Sequence, residues 1–300
     1  MKRLLIVSDG RRGHENQSVA LAKHLGADYR IFTLPARPAM KKAWDQLQSR
    51  FVPLSIPDEV QAHFHTGDFD AVVGAGSATY GMVLSVAERY GIKSVAMMLP
   101  KGSPYEKFDI IFAQSHDMPP QRDNLIEIPA NFSYVEPQGI YEACSPRSIG
   151  IVIGGDNSVF SVSKERLQKQ LEQIIDHYSS YEIAVTTSPR TSVQIEEVVA
   201  SYGFDYEVLY SQKQINPIPD FLAQCERVFI TADSTSMISE AVSFGNASIE
   251  ILPLRSSKAN KFDRFISQLE EGGYVHLFDG TVKDANRKID FSRYLEESGL

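Results

Sequence analysis

Short apolar runs alternate with longer amphipathic stretches along almost the whole 300-residue chain. A strand that returns to its own sheet through a helix does so as a parallel crossover, so this rhythm points to parallel sheets with helices packed on their faces. In the first half the pattern predicts strands at 4–8, 28–33, 70–74, 93–98, 109–113 and 124–128. Helices are expected at 16–25, 38–49 and 78–90, with a weaker helical stretch between 57 and 65. In the second half, strands at 148–153, 181–186, 205–209 and 227–230 alternate with helices at 163–179, 192–202, 217–224 and 235–244. Between the halves, Tyr134–Pro146 breaks the rhythm with two prolines and reads as an interdomain connection. A chain of this length exceeds what one core usually needs. The expectation is two α/β domains, 1–145 and 146–300.

Composition narrows the function. Hydrophobic residues at 43% are those of a globular protein, and a net charge of −8 argues against broad nucleic-acid binding. Cys144 and Cys225 are too far apart for zinc or CxxC spacing and read as buried thiols in a reducing compartment. No segment approaches the roughly 20 apolar residues of a membrane span. The apolar start Met1–Ser8 is too short for a signal peptide and reads as a first strand, so a cytoplasmic protein is expected.

The run Phe229–Ala241 carries the most chemistry. It reads as a buried strand, a turn of small polar residues and a helix whose entrance is crowded by Thr231, Asp233, Ser234, Thr235, Ser236 and Met237. Free amides and hydroxyls at a helix start suit an anion, and Glu240, about one turn in, is placed for sugar hydroxyls. A Ser/Thr-capped strand–helix junction would read the same way. Two more loops follow strand ends in this half: Gly154, Gly155, Asp156, Asn157 and Ser158, then Thr187, Ser188 and Arg190. In a parallel sheet all three loops share one rim, where open α/β sheets bind ligands.

The first strand runs into Gly10-Arg-Arg-Gly-His14, with neither dinucleotide nor P-loop spacing. His14 is thereby placed on a loop at a strand end, with Glu15 beside it to orient or protonate it, or simply to favour a helix start. Gly13, Asn16, Ser77 and His116 are the acceptor-side candidates, His116 being readable also as a loop cap. His63 and His65 lack a paired carboxylate at metal spacing and read as surface residues. Lys258, Lys261 and Arg264 are placed either to reach donor phosphates or to line a solvated face. Arg37–Phe51, with Met40 and Trp44, fits a basic patch on anionic lipid or an ordinary amphipathic helix covering the sheet.

Arg11-Arg-Gly-His14, Gly154–Ser158 and Ala232–Glu240 resemble motifs of the N-acetylglucosaminyltransferase that makes lipid II. That likeness implies His14 as base or acceptor-positioning residue and Glu240 as the ribose-binding glutamate. A fuller resemblance covers nearly the whole chain, to the mitochondrial fission (elongated mitochondria) family and its bacterial members. It rests on Asp9–Gln17, Ile153–Asn157, Thr186–Thr191, Thr231–Ala241 and Lys261–Phe265 before Gly272-Gly273. The two likenesses imply an α/β GT-B fold, two Rossmann-like domains with parallel sheets facing across a cleft, the last helix packing back on the N-terminal domain. They imply a glycosyltransferase taking a nucleotide sugar and a lipid-linked or saccharide acceptor, in the bacterial cell envelope, with peripheral contact with the inner membrane. No cofactor is expected, and no metal, because no Asp-x-Asp motif appears on a strand end. Asp233-Ser234 with Glu240-Ala241 also echoes non-hydrolysing sugar-nucleotide 2-epimerases, and a GT-B adaptor without catalysis is the third reading.

Overall fold

The structure, a computed structural model, describes residues 1–35, 54–58, 61, 68–256 and 261–300. The helix expected at 38–49, the stretch Arg37–Phe51, His63, His65, Lys258 and most of 57–65 lie outside the described residues.

The chain divides into two compact units, Met1–Tyr134 with Asp290–Leu300, and Val135–Ile289. The first is built from β1 (Arg3–Ser8), α1 (Arg12–His24), β2 (Asp28–Thr33), β3 (Ala71–Gly74), α2 (Tyr80–Tyr90), β4 (Lys93–Ala96), β5 (Ile110–Gln114) and β6 (Leu125–Ile128). Its sheet runs β2-β1-β3-β4-β5-β6, parallel throughout. The strand order reverses between β1 and β3, which opens a crevice at the carboxyl ends of those two strands.

The second unit contains β7 (Ser148–Ile153), β8 (Phe160–Ser161), α3 (Lys164–His177), β9 (Glu182–Thr187), α4 (Val193–Ala200), β10 (Tyr206–Val208), α5 (Ile218–Gln224) and β11 (Arg227–Thr231). There follow α6 (Thr235–Ala241), β12 (Ser248–Leu252), β13 (Arg255–Ser256), α7 (Lys261–Glu271) and β14 (His276–Leu277). Its parallel sheet runs β10-β9-β7-β11-β12-β14, so the reversal falls between β7 and β11. β7 and β11 are buried on both faces, as central parallel strands must be. The expected strands are present in both units, and the second sheet gains β12 and β14, which the apolar pattern had not marked.

The two-proline stretch belongs with the second unit, and one side chain explains why. Asp220 of α5 is fully buried and accepts the amides of Gln138, Gly139, Ile140 and Tyr141 at 2.8–3.2 Å. Burial alone would raise its carboxyl, but these four N–H groups hold it below the ordinary aspartate value. The C-terminal residues belong with the first unit because Phe291 is buried there, stacked 4.4 Å from Phe132 and 5.4 Å from His24; α8 (Ser292–Ser298) follows it.

Asp220→Ala leaves four amides without their acceptor and is expected to lower the unfolding free energy by about 3 kcal/mol or more. Because the folded carboxyl is depressed, this stabilisation is present above its unfolded value near 3.8 and lost as pH falls through the folded one. Urea melts of the variant and the native protein between neutral and acid pH check both the size and the sign.

Candidate functional site

In the second unit the loops after β7, β9 and β11 are stitched together at one point. Asp233, whose side chain is fully buried, accepts from Thr231 Oγ1 at 2.7 Å, from the Gly155 amide at 3.2 Å and from Arg190 Nη2. Its carbonyl accepts Asn157 Nδ2 at 3.0 Å, and Thr191 Oγ1 donates to the Gly154 carbonyl at 2.8 Å. The glycines are required by this closeness. A Cβ on Gly154 would lie 2.0 Å from Asp233 Oδ1, and one on Gly155 would lie 1.9 Å from the Arg190 carbonyl.

The arrangement redistributes the expected donor residues. The Gly154 and Gly155 amides point to Thr231 Oγ1 and Asp233, so they face protein. Asn157 Oδ1 accepts from Val159 and Phe160, and Asp156 Oδ1 accepts from Val162. Thr187 is tied to the buried Glu196 and Ser188 to Thr191. These residues shape the rim. What the rim presents outward is different: the exposed Ser158, the half-exposed Arg190, and the partly buried Thr235, Ser236 and Met237 at the start of α6. Ser234 caps that helix, accepting the Met237 amide at 3.4 Å.

Glu240 sits on the same helix, partly accessible. Among the described residues its carboxylate has no hydrogen-bond partner. Burial pushes its carboxyl from 4.5 up to about 7.

In the first unit, α1 begins at Arg12, not near Asn16. His14 therefore lies in the first helical turn rather than on a loop, with Gly13 and Asn16 exposed on the same turns. Its Nδ1 is 3.1 Å from Asp9 Oδ2, while Asp9 Oδ1 accepts the Arg11 amide at 3.1 Å. Asp9, not Glu15, is the carboxylate against the imidazole. The ring lies against Gly76 in the loop after β3: a Cβ there would be 2.5 Å from Nδ1 and Cε1, and Gly76 has φ +86°. His14 and Gly76 thus meet at the strand-order reversal of this sheet, next to the exposed Ser77. Among the described residues His14 Nε2 has no hydrogen-bond partner. His116, in the turn after β5, is 4% exposed and packs inside the unit. Lys261 and Arg264 lie on the exposed face of α7.

A family model for Mitochondrial fission ELM1 matches residues 12–293. The chain belongs to this family. A relative, the uncharacterized protein RP120 of Rickettsia prowazekii, is 24% identical over 92% of this chain and 90% of its own length. Among solved structures, MurG of Acinetobacter baumannii is similar with a TM-score of 0.53 at 14% identity, over 95% of this chain and 87% of that one. The UDP-GlcNAc 2-epimerase of Methanocaldococcus jannaschii follows at 0.50 and 11%, over 96% of each. At these identities the likeness is one of fold, and the fold is GT-B.

For this ELM1-family chain, sequence reasoning passed over Asp9 as the partner of His14, and Thr191 and Glu196 as ties of the rim. The signal for Asp9 was the five-residue spacing across a glycine turn, which brings its side chain back over the first helical turn.

If Asp9 holds the Nδ1 proton, neutral His14 is the Nδ1–H tautomer, with Nε2 the free base. Ring nitrogen NMR at about pH 8 should show that tautomer in the native protein and a mixture in Asp9→Ala. An unchanged ring pattern in the variant contradicts the assignment.

Proposed function

We propose that this GT-B chain is a glycosyltransferase of bacterial cell-envelope synthesis, acting at the cytoplasmic side on a nucleotide sugar and a lipid-linked or saccharide acceptor. Glu240 carries the reading. A carboxylate left without protein partners in a desolvated place, one turn beyond a cap-and-hydroxyl turn, suits a ligand that brings its own donors, such as ribose hydroxyls. The first turn of α6 and Arg190 would then face the phosphates, stabilising the charge that grows on the leaving diphosphate. His14 Nε2 is the proposed base for the acceptor hydroxyl. The name of the epimerase neighbour makes UDP the first nucleotide to try.

The Glu240 carboxyl binds its proton more tightly folded than unfolded, so its ionisation lowers stability as pH rises from about 4.5 to about 7. Glu240→Gln should therefore be more stable than the native protein above that range, by about 1–3 kcal/mol, with no difference at acid pH. It should also weaken UDP by about 1–3 kcal/mol. Because ribose donors favour the ionised carboxylate, UDP binding near neutral pH should release more protons in the native protein than in the variant, which keeps only the release from the phosphate of UDP itself. Titration calorimetry in buffers of different ionisation enthalpy reads both effects, and unchanged affinity in Glu240→Gln contradicts the reading.

We propose turnover without a resident divalent ion. The chain's Asp-x-Asp triplet, Asp68-Phe69-Asp70, precedes β3 instead of following a strand, and Asp70 accepts the Arg3 amide at 2.7 Å. Activity should survive exhaustive chelation, and a loss restored by magnesium or manganese contradicts this.

The Asp233-Ser234 and Glu240-Ala241 pairs, with the epimerase likeness, favour a second reading as a sugar-nucleotide 2-epimerase. Product analysis with UDP-GlcNAc and no acceptor separates the two: an epimerised sugar nucleotide supports the second, slow hydrolysis the first.

A further inference from the structure

We propose that Arg190 reads the second phosphate of the bound nucleotide, and that Asp233 is the positioning residue that holds it there. The inference rests on the nucleotide reading above and adds to it how a diphosphate is told from a monophosphate.

Both ends of Arg190 are fixed. Its amide donates to Ser188 Oγ at 3.2 Å, and its carbonyl packs against the Gly155 backbone so closely that no Cβ fits between them. At the other end, one guanidinium corner, Nη2, is held by the Asp233 carboxylate. The Arg190 side chain is nevertheless 45% exposed while that of Asp233 is 0% exposed. Among the described residues, the remaining guanidinium nitrogens have no partner. A surface arginine ordinarily loses substantial rotamer entropy when it binds a ligand. Here that ordering is already in place, and the unused edge of a planar fork faces outward.

Asp233 itself is an unsuitable ligand for phosphate, being an anion. Buried behind the Thr231 hydroxyl, the Gly155 amide and Arg190, its charge is turned inward and balanced. What it offers a ligand is the position of the guanidinium. The spacing along α6 fits this division. Glu240 lies five residues beyond Thr235, roughly 8 Å along a helix, and Asp233 with Arg190 lies just ahead of the helix start. With ribose at Glu240 the first phosphate falls toward Thr235 and Ser236, and the next group out meets Arg190.

Calorimetric titration of the full chain with UDP and with UMP tests this, in the native protein, Arg190→Gln, Arg190→Lys and Asp233→Asn. The native protein should prefer UDP by about tenfold or more, as a charge-assisted contact to one more phosphate supplies. Arg190→Gln should lose most of that preference with UMP affinity unchanged. Arg190→Lys, a charge without the fork, should restore part of it. Asp233→Asn should lower the preference. Tighter UDP binding in Asp233→Asn would show that the carboxylate only repels phosphate and would overturn its positioning role. The half-exposed Arg190 variants keep the test open should Asp233→Asn fail to fold. Native protein that binds UDP and UMP equally, or Arg190→Gln that keeps the native preference, overturns the inference and leaves the nucleotide reading intact. Native protein that binds neither nucleotide, nor the mono- and diphosphates of the other common bases, overturns both.

Discussion

The buried Asp233 carboxylate is the contact on which the second unit's rim depends. It joins the loops after three neighbouring strands of the sheet through Gly155, Arg190 and Thr231. A carboxylate without exposure is tolerated only when donors surround it, so the two glycines, the threonine and the arginine form one set with it. The consequence for function is a rim that is ordered before any ligand arrives. Most of its polar groups face protein, and among the described residues those it turns outward are Ser158, Arg190, Thr235, Ser236 and Glu240. Preorganised donors aimed at a developing charge are worth more than mobile ones.

The first unit follows the same plan with different chemistry. Its strand order reverses between β1 and β3 as the second unit's does between β7 and β11. At that reversal stands an imidazole backed by Asp9 and seated on Gly76. The two halves thus offer unlike groups, an imidazole in one and a desolvated carboxylate with hydroxyls in the other.

Much of this was legible in the sequence because a parallel sheet writes itself as apolar runs, and because loops after such runs must share a rim. The run Phe229–Ala241 shows a strand, a cap and Glu240 in their correct order without any coordinates. Legibility failed where a charge sits inside. Ser248-Ile-Glu-Ile-Leu252 forms β12, but Glu250 interrupts the apolar pattern; it is buried among Arg227, His276 and the Lys283 amide, and burial raises its carboxyl all the same. The same blindness hid Asp220, whose four amide partners lie about 80 residues away in the chain. It also made Asp233 read as a ligand of phosphate, since a sequence shows that an aspartate is present and not which way it faces. The glycine-rich approach to His14 reads as a loop, whereas the helix starts at Arg12 with no side-chain cap to announce it.

The central claim is that the crevice between β7 and β11 receives a nucleotide by its ribose and phosphates. A crystal structure of the protein grown with saturating UDP tests it most directly. Density is expected with the ribose hydroxyls on the Glu240 carboxylate and the phosphates between the first turn of α6 and Arg190. Nucleotide bound elsewhere on the chain, or bound here with its ribose turned away from Glu240, would contradict it.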